Sequence, residues 1–203
     1  MEKSPHFKPD QCALLLIDHQ VGTTQLIKNI TSDQSIRNAV KLAKMALAFE
    51  IPIVMTSSFE DQAQGPTHPS LQRVAPDAFT NRVQRHGEVN AWDDESFAKA
   101  VEATGRRQLI VAAVTTDICL VFPAISAVEA GYEVLAVMDA CGTDTEIGED
   151  TARRRMERAG VWLTSTNTMV AELVQDWSTP QGGPLVVAMT SVSPMLPVTW
   201  ARA

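Results

Sequence analysis

The chain has 203 residues, 45% of them apolar and 20% charged, and its 17 Lys and Arg against 24 Asp and Glu leave a net charge of −7. Such a make-up suits one folded domain and excludes a disordered tail, a collagen-like chain and a coiled coil. The acidic balance argues against nucleic acid and anionic membrane as main partners, and no apolar run reaches the roughly 18 residues of a membrane span.

Strand-like apolar runs alternate with helix-like stretches along the chain. Residues 12–17, CALLLI, form a continuous apolar run ending at Asp18, which reads as a strand buried on both faces. Apolar residues at three- and four-residue spacing predict a helix over 34–50. Pro52 breaks it, and a strand follows at 53–56. The Gln-, Pro- and Gly-rich stretch 60–78 reads as a long loop, with a strand at 79–83. A helix is expected at 96–104, stopped by Gly105. The next strand covers 109–114, and a helix over 119–130 ends at Gly131. A strand at 134–138, a charged helix at 149–159, a strand at 161–164 and a helix at 168–177 complete the pattern. Residues 1–177 are therefore read as one domain. The tail 178–203, with Pro180, Pro184, Pro194 and Pro197, is read as an arm that packs on a neighbouring subunit, or in a plainer reading folds back on its own domain.

Alternating strands and helices predict right-handed crossovers and a mainly parallel sheet covered by helices on both faces, a three-layer α/β/α arrangement. Ligands of such folds bind at the carboxyl ends of the strands. That rule singles out Asp18, Ser57 to Glu60, Thr115 to Cys119, and Ala140 to Thr143.

Cys119 follows a buried strand and opens a predicted helix, with Pro123 suited to a first turn. Near a helix's positive end a thiol's pKa falls and thiolate is favoured, and free backbone N–H groups there suit an oxyanion. Asp18, at the same sheet edge, is placed to move the thiol's proton. Arg85, read in the connection before the helix at 96–104, offers a fixed cation to favour thiolate and orient an acidic or carbonyl substrate. Each has a plainer reading as well: a small buried apolar residue for Cys119, a turn cap for Asp18, a solvated surface arginine for Arg85. Phe59, Trp92 and Phe122 are candidates for an apolar pocket with Asn90 as a polar contact, or equally for core. Cys12 reads as core, Cys141 as structural or pocket-lining, and His19 as a packing or interface residue. His6, His19, His68 and His86 show no metal-ligand spacing, and no phosphate-loop or nucleotide-binding glycine motif occurs. Neither metal nor cofactor is expected. The opening MEKSPHFKPDQ lacks the apolar core of a leader. The three sparse cysteines form no C-x-x-C pair, which argues against a disulfide framework and for a cytoplasmic setting.

Several stretches together carry a resemblance: Leu15 to Gln20, Thr56 to Glu60, Arg85 with Asn90 to Asp93, Val114 to Cys119, Phe122 to Ala124, and Asp139-Ala140. In these the chain, from about residue 8 to residue 177, resembles the isochorismatase-like cysteine hydrolases, in particular their YcaC-like branch. The resemblance implies a three-layer α/β/α fold and an Asp-Lys-Cys triad. Asp18 then becomes the base and acid and Cys119 the nucleophile. Arg85 stands at or near the family's lysine, a departure that keeps the charge but gives up proton shuttling. It further implies a cis peptide between Val114 and Thr115, with the Thr115 and Cys119 N–H groups as oxyanion hole. The metal-binding Asp-x-His of the nicotinamidase branch is absent from Ser57 to Glu60. The activity implied is cofactor-free hydrolysis of a small amide, ureido or carbamoyl C–N bond through a thioester, by a homo-oligomer. Two alternatives stand beside it: vinyl ether hydrolysis of the isochorismatase type, and a non-catalytic oligomeric scaffold.

Overall fold

A computed structural model describes residues 6–185. Six strands form one parallel sheet: β1 (Cys12–Ile17), β2 (Ile53–Ser58), β3 (Val83–Arg85), β4 (Gln108–Ala113), β5 (Glu133–Val137) and β6 (Trp162–Thr164). Their spatial order is β3-β2-β1-β4-β5-β6. The central strands β1 and β4 are buried along their whole length, which is why they read as unbroken apolar runs. Among the described residues the sheet is flanked by α1 (Ser32–Ala48), α2 (Pro69–Val74), α3 (Pro76–Thr80), α4 (Glu95–Glu102), α5 (Val121–Glu129), α6 (Glu146–Arg158) and α7 (Thr166–Val174). The chain steps outward from β1 to β3 and then returns to β4 on the other side of β1. Right-handed crossovers therefore put α1 on one face and α4, α5 and α6 on the other. α7 packs beside α1.

α1 begins where the Thr31 hydroxyl accepts from the Gln34 N–H, 3.1 Å. It buries Ile36, Ala39, Leu42, Ala43 and Ala46, a stripe whose small members let the helix lie close to the sheet. Thr145 caps α6 and Ser165 caps α7 in the same way, so α6 starts three residues before the expected 149 and α7 two before 168.

Three expectations need correcting. The stretch 60–78 is not all loop, because α2 and α3 each start on a proline, Pro69 and Pro76, that serves as a first-turn residue rather than a breaker. The strand expected at 79–83 lies at Val83–Arg85, while Phe79 belongs to α3 and sits under the Arg82 guanidinium, 4.0 Å from ring centre to Cζ. The helix expected to open at Cys119 begins at Val121, behind a wide π-type turn over Thr116–Leu120. Of the arm assigned to 178–203, the described part buries Leu185 against the domain core, and the remainder from 186 onward lies outside the described residues. Among those residues no helix is long and apolar enough to cross a membrane.

Candidate active site

Strand register brings the candidates to one level. Ile17 pairs with Thr56 on one side and Ala113 on the other, so Asp18 and Val114 leave the sheet at the same level, beside the last residues of β2. The strand order reverses between β1 and β4, and a crevice opens where their connections diverge. Asp18 and Cys119 meet there, at the wall of a half-open cavity of about 370 Å³ that Thr115 and Phe59 also line.

Asp18 turns the chain out of β1 with φ +56°, a left-handed conformation in which Asp is better tolerated than most residues. Its N–H donates to the Thr56 carbonyl, 3.0 Å, and its carbonyl accepts from the Gln20 N–H, 2.7 Å. Its carboxylate forms a buried ion pair with Arg85. Arg85 ends β3 and engages all three of its nitrogens: Nε donates to Thr56 Oγ1, 2.9 Å, one terminal nitrogen to the Glu88 carbonyl, 2.6 Å, and the other to Asp18. With its side chain 1% exposed, Arg85 is not the solvated surface residue of the plainer reading, and it belongs to a strand rather than to the connection before α4. Each charge shields the other from the cost of burial.

Cys119 is half-buried and faces the cavity. Burial pushes its thiol well above the ordinary value, and the Asp18 charge pushes it further, while the Thr115 N–H and the Arg85 charge act the other way. The sulfur therefore rests protonated at neutral pH, and its S–H is shared with the Asp18 carboxylate. The direction runs against the expectation of a resting thiolate. Desolvation next to a carboxylate outweighs what the Thr116–Leu120 turn contributes there. Asp18 is raised by burial, opposed by the Arg85 charge, its hydrogen bond and the thiol. A thiol that keeps its proton beside a carboxylate of raised basicity is a donor–acceptor pair set for proton transfer during attack. The Val114–Thr115 peptide is cis.

Of the expected pocket residues, Phe59 lines the cavity and the other three do not. Phe59 has φ +45°, donates its N–H to the Arg85 carbonyl at 3.2 Å, and lays its ring over Gly87. Asn90 instead caps the turn Ala91–Asp93 and ties it to Ser126 of α5, 3.1 Å. Trp92 packs edge-on against Phe97 and Tyr132, with ring centres 6.2 and 5.6 Å away. Phe122 lies under the Arg155 guanidinium, 4.9 Å. All three are packing residues within the single chain.

The remaining cysteines are structural. Cys141 is buried, with its Sγ donating to the Val137 carbonyl, 3.1 Å, and burial raises its thiol. Burial likewise pushes Cys12 up to about 12. His19 is buried and pushed down to about 4 by desolvation, so the neutral ring donates Nε2–H to the Ala140 carbonyl, 2.9 Å. Among the described residues no group of three His, Cys, Asp or Glu is arranged to hold a metal.

Two supports escaped the reading of the sequence. The buried Gln20 accepts from the Ser58 N–H at 2.9 Å and donates to the Ser58 and Gly65 carbonyls at 2.8 and 2.5 Å, pinning the loop after β2 to the end of β1. Glu60 holds Arg82 through two 2.7 Å hydrogen bonds, and these hold its carboxyl down to about 2. Both residues stood in the stretches that carried the resemblance, without a role. A larger groove of about 770 Å³ runs along α1 and α2, lined in part by Arg37, Lys41, Lys44 and Arg73, and no cysteine lines it.

The family model of the Isochorismatase domain matches residues 12–168. The chain belongs to the isochorismatase family. It is 42% identical over 175 residues to the probable hydrolase YcaC of Escherichia coli, covering 85% of this chain and 83% of that one. YcaC from Pseudomonas aeruginosa, solved with hexane-2,5-diol and covalent acrylamide, superposes with a TM-score of 0.89 at 36% identity over 95% of both chains. The YcaC gene product of Escherichia coli, described as an octameric hydrolase of unknown specificity, superposes at 0.88 with 38% identity over 95% of this chain and 94% of that one. The parallel six-stranded sheet is thus the isochorismatase-like hydrolase fold, and the crevice at the β1–β4 reversal is this family member's candidate active site.

Proposed function

We propose that this hydrolase-family protein cleaves the C–N bond of a small amide-type substrate, with Cys119 as the nucleophile and Asp18 as base and acid. One observation carries the reading: a thiol meets a carboxylate, itself backed by a buried guanidinium, at the wall of a single cavity at the strand-order reversal.

The sulfur attacks the carbonyl carbon as its proton passes to Asp18, and the carbonyl electrons move onto oxygen. That oxyanion is received by the backbone N–H groups of Thr115 and Cys119. Asp18 then gives its proton to the departing amine, leaving a thioester on Cys119. Water, deprotonated by Asp18, attacks the thioester; the acid product leaves and the thiol is restored. Arg85 stays charged throughout, so it offsets whichever neighbouring group is negative at each stage. A lysine's proton is not required for any step. The departure at Arg85 therefore alters electrostatics rather than stoichiometry.

The relative from Pseudomonas aeruginosa holds acrylamide, an amide-bearing electrophile, in covalent form, which supports a reactive pocket open to small amides. The octamer of the Escherichia coli relative supports a homo-oligomer, and three free cysteines suit a reducing, cytoplasmic setting. The test is ammonia release from a panel of small amides. Cys119→Ala should fold as the parent does and lose all turnover; turnover retained in that variant refutes the nucleophile.

A further inference from the structure

Charge accounting around the cavity defines what it can accept. The described residues that line it include two acids, Asp18 and Glu88, and no Lys, Arg or His. The nearest cation, Arg85, is set behind Asp18, and its three nitrogens are committed to Asp18, Thr56 and the Glu88 carbonyl. Its one positive charge is also matched at every stage of the proposed reaction. Asp18 balances it at rest. Once the proton has moved to Asp18, the sulfur or the tetrahedral oxyanion does so instead.

A carboxylate on the substrate would therefore enter as a second, unbalanced negative charge. It would meet partly desolvated walls and lie close to the oxyanion the reaction must form. What the walls offer instead is neutral. Leu26, Val89 and Ile118 are 56%, 59% and 46% exposed at the mouth and give it an apolar rim. Gln64 contributes a neutral amide. The Thr23 and Thr115 hydroxyls adjoin the cavity and have no hydrogen-bond partner among the described residues.

We infer that the pocket selects uncharged amides with a short apolar substituent and rejects amides that carry a carboxylate, such as ureido acids. The inference rests on Cys119 as the reacting group and names the substrate class of that site. Of the two substrates that Arg85 was expected to orient, acidic or carbonyl, it runs against the acidic one.

The full-length protein is alkylated with iodoacetamide and with iodoacetate, which deliver the same reaction with and without a negative charge. Labelling of Cys119 is followed by peptide mass, with Cys119→Ala as blank. The ratio of the two rates, divided by that for the uncharged thiol N-acetylcysteine amide at the same pH, should be at least about tenfold, the discrimination expected of one unbalanced charge near a desolvated site. Val89→Lys, which sets a cation at the rim, should shrink the ratio by speeding iodoacetate. In turnover, butyramide should outpace succinamate, its analogue with a terminal carboxylate, by a similar factor in kcat/KM. A normalised ratio near one, or succinamate as the better substrate, overturns the inference, including the case in which a second subunit supplies a cation. The two readings fail separately. Turnover surviving in Cys119→Ala removes the nucleophile, whereas a flat labelling ratio with an inactive Cys119→Ala removes only the charge selection.

Discussion

Replacing Arg85 by methionine removes the guanidinium while keeping much of the side chain's length. The side chain is buried, and its loss breaks the ion pair to Asp18 together with hydrogen bonds to Thr56 Oγ1 and the Glu88 carbonyl. Two unit charges about 4 Å apart attract by about 4 kcal/mol at an effective dielectric near 20, and removal of one partner from a buried pair costs about 3–5 kcal/mol because the other is left uncompensated. For a chain of this size that corresponds to about 6–20 °C in Tm. The variant should also acquire a pH dependence of known sign. Burial already raises Asp18, and without Arg85 nothing of comparable size opposes it. A carboxylate raised in the folded state binds its proton more tightly folded than unfolded, so its contribution is fully present at acid pH and is lost as pH rises through the raised value. The deficit of Arg85→Met should therefore be largest at neutral pH and smaller near pH 5. Urea unfolding at fixed protein concentration across that range is the assay. Adding Asp18→Asn should recover most of the loss, since no buried charge then remains. A deficit below about 1 kcal/mol, or one that grows toward acid pH, refutes the account of a mutually compensating pair.

Further expectations concern the walls and the thiol. Gly87 has φ +123°, and a Cβ there would lie 2.5 Å from Phe59 Cζ, so Gly87→Ala should cost about 1–3 kcal/mol in thermal or urea unfolding and slow Cys119 labelling as the ring is displaced; an unchanged protein contradicts the packing. Glu60 is held down to about 2 by Arg82, so its contribution is present above the ordinary value of 4.5 and is lost as pH falls through the lower one. Glu60→Gln should be less stable by about 1 kcal/mol near neutrality, allowing for solvent screening, with the gap closing between 4.5 and about 2 in urea titrations. Because Cys119 is raised, its alkylation rate should keep climbing beyond the ordinary thiol value of 9.0, and a plateau near neutrality contradicts the protonated resting state.

Much of the fold could be read before any tertiary contact was known. The unbroken run CALLLI announced a strand buried on both faces, and β1 occupies residues 12–17 as read. Asp18 and Cys119 followed from the rule that parallel sheets present ligands at their strand ends, and the sheet brings both to one cavity. Legibility fell where a residue's role depends on distant partners. β3 is three residues long with one of them buried, too short for a period. Asn90 and Trp92 matched a motif, yet the contacts that carry them into the core are to α5, Phe97 and Tyr132, none of which the motif names.

The sequence by itself determined the alternation of strands and helices, the burial of β1 and β4, and which residues leave the sheet at its carboxyl edge, because these depend on the local order of apolar and polar side chains. Only the tertiary structure decided that Arg85 is buried against Asp18, that the Cys119 thiol keeps its proton, and that no free cation lines the described cavity. Ionisation and charge balance are set by desolvation and by the charges within a few ångströms. Those neighbours come from residues 18, 56, 85 and 119, which are close only after folding.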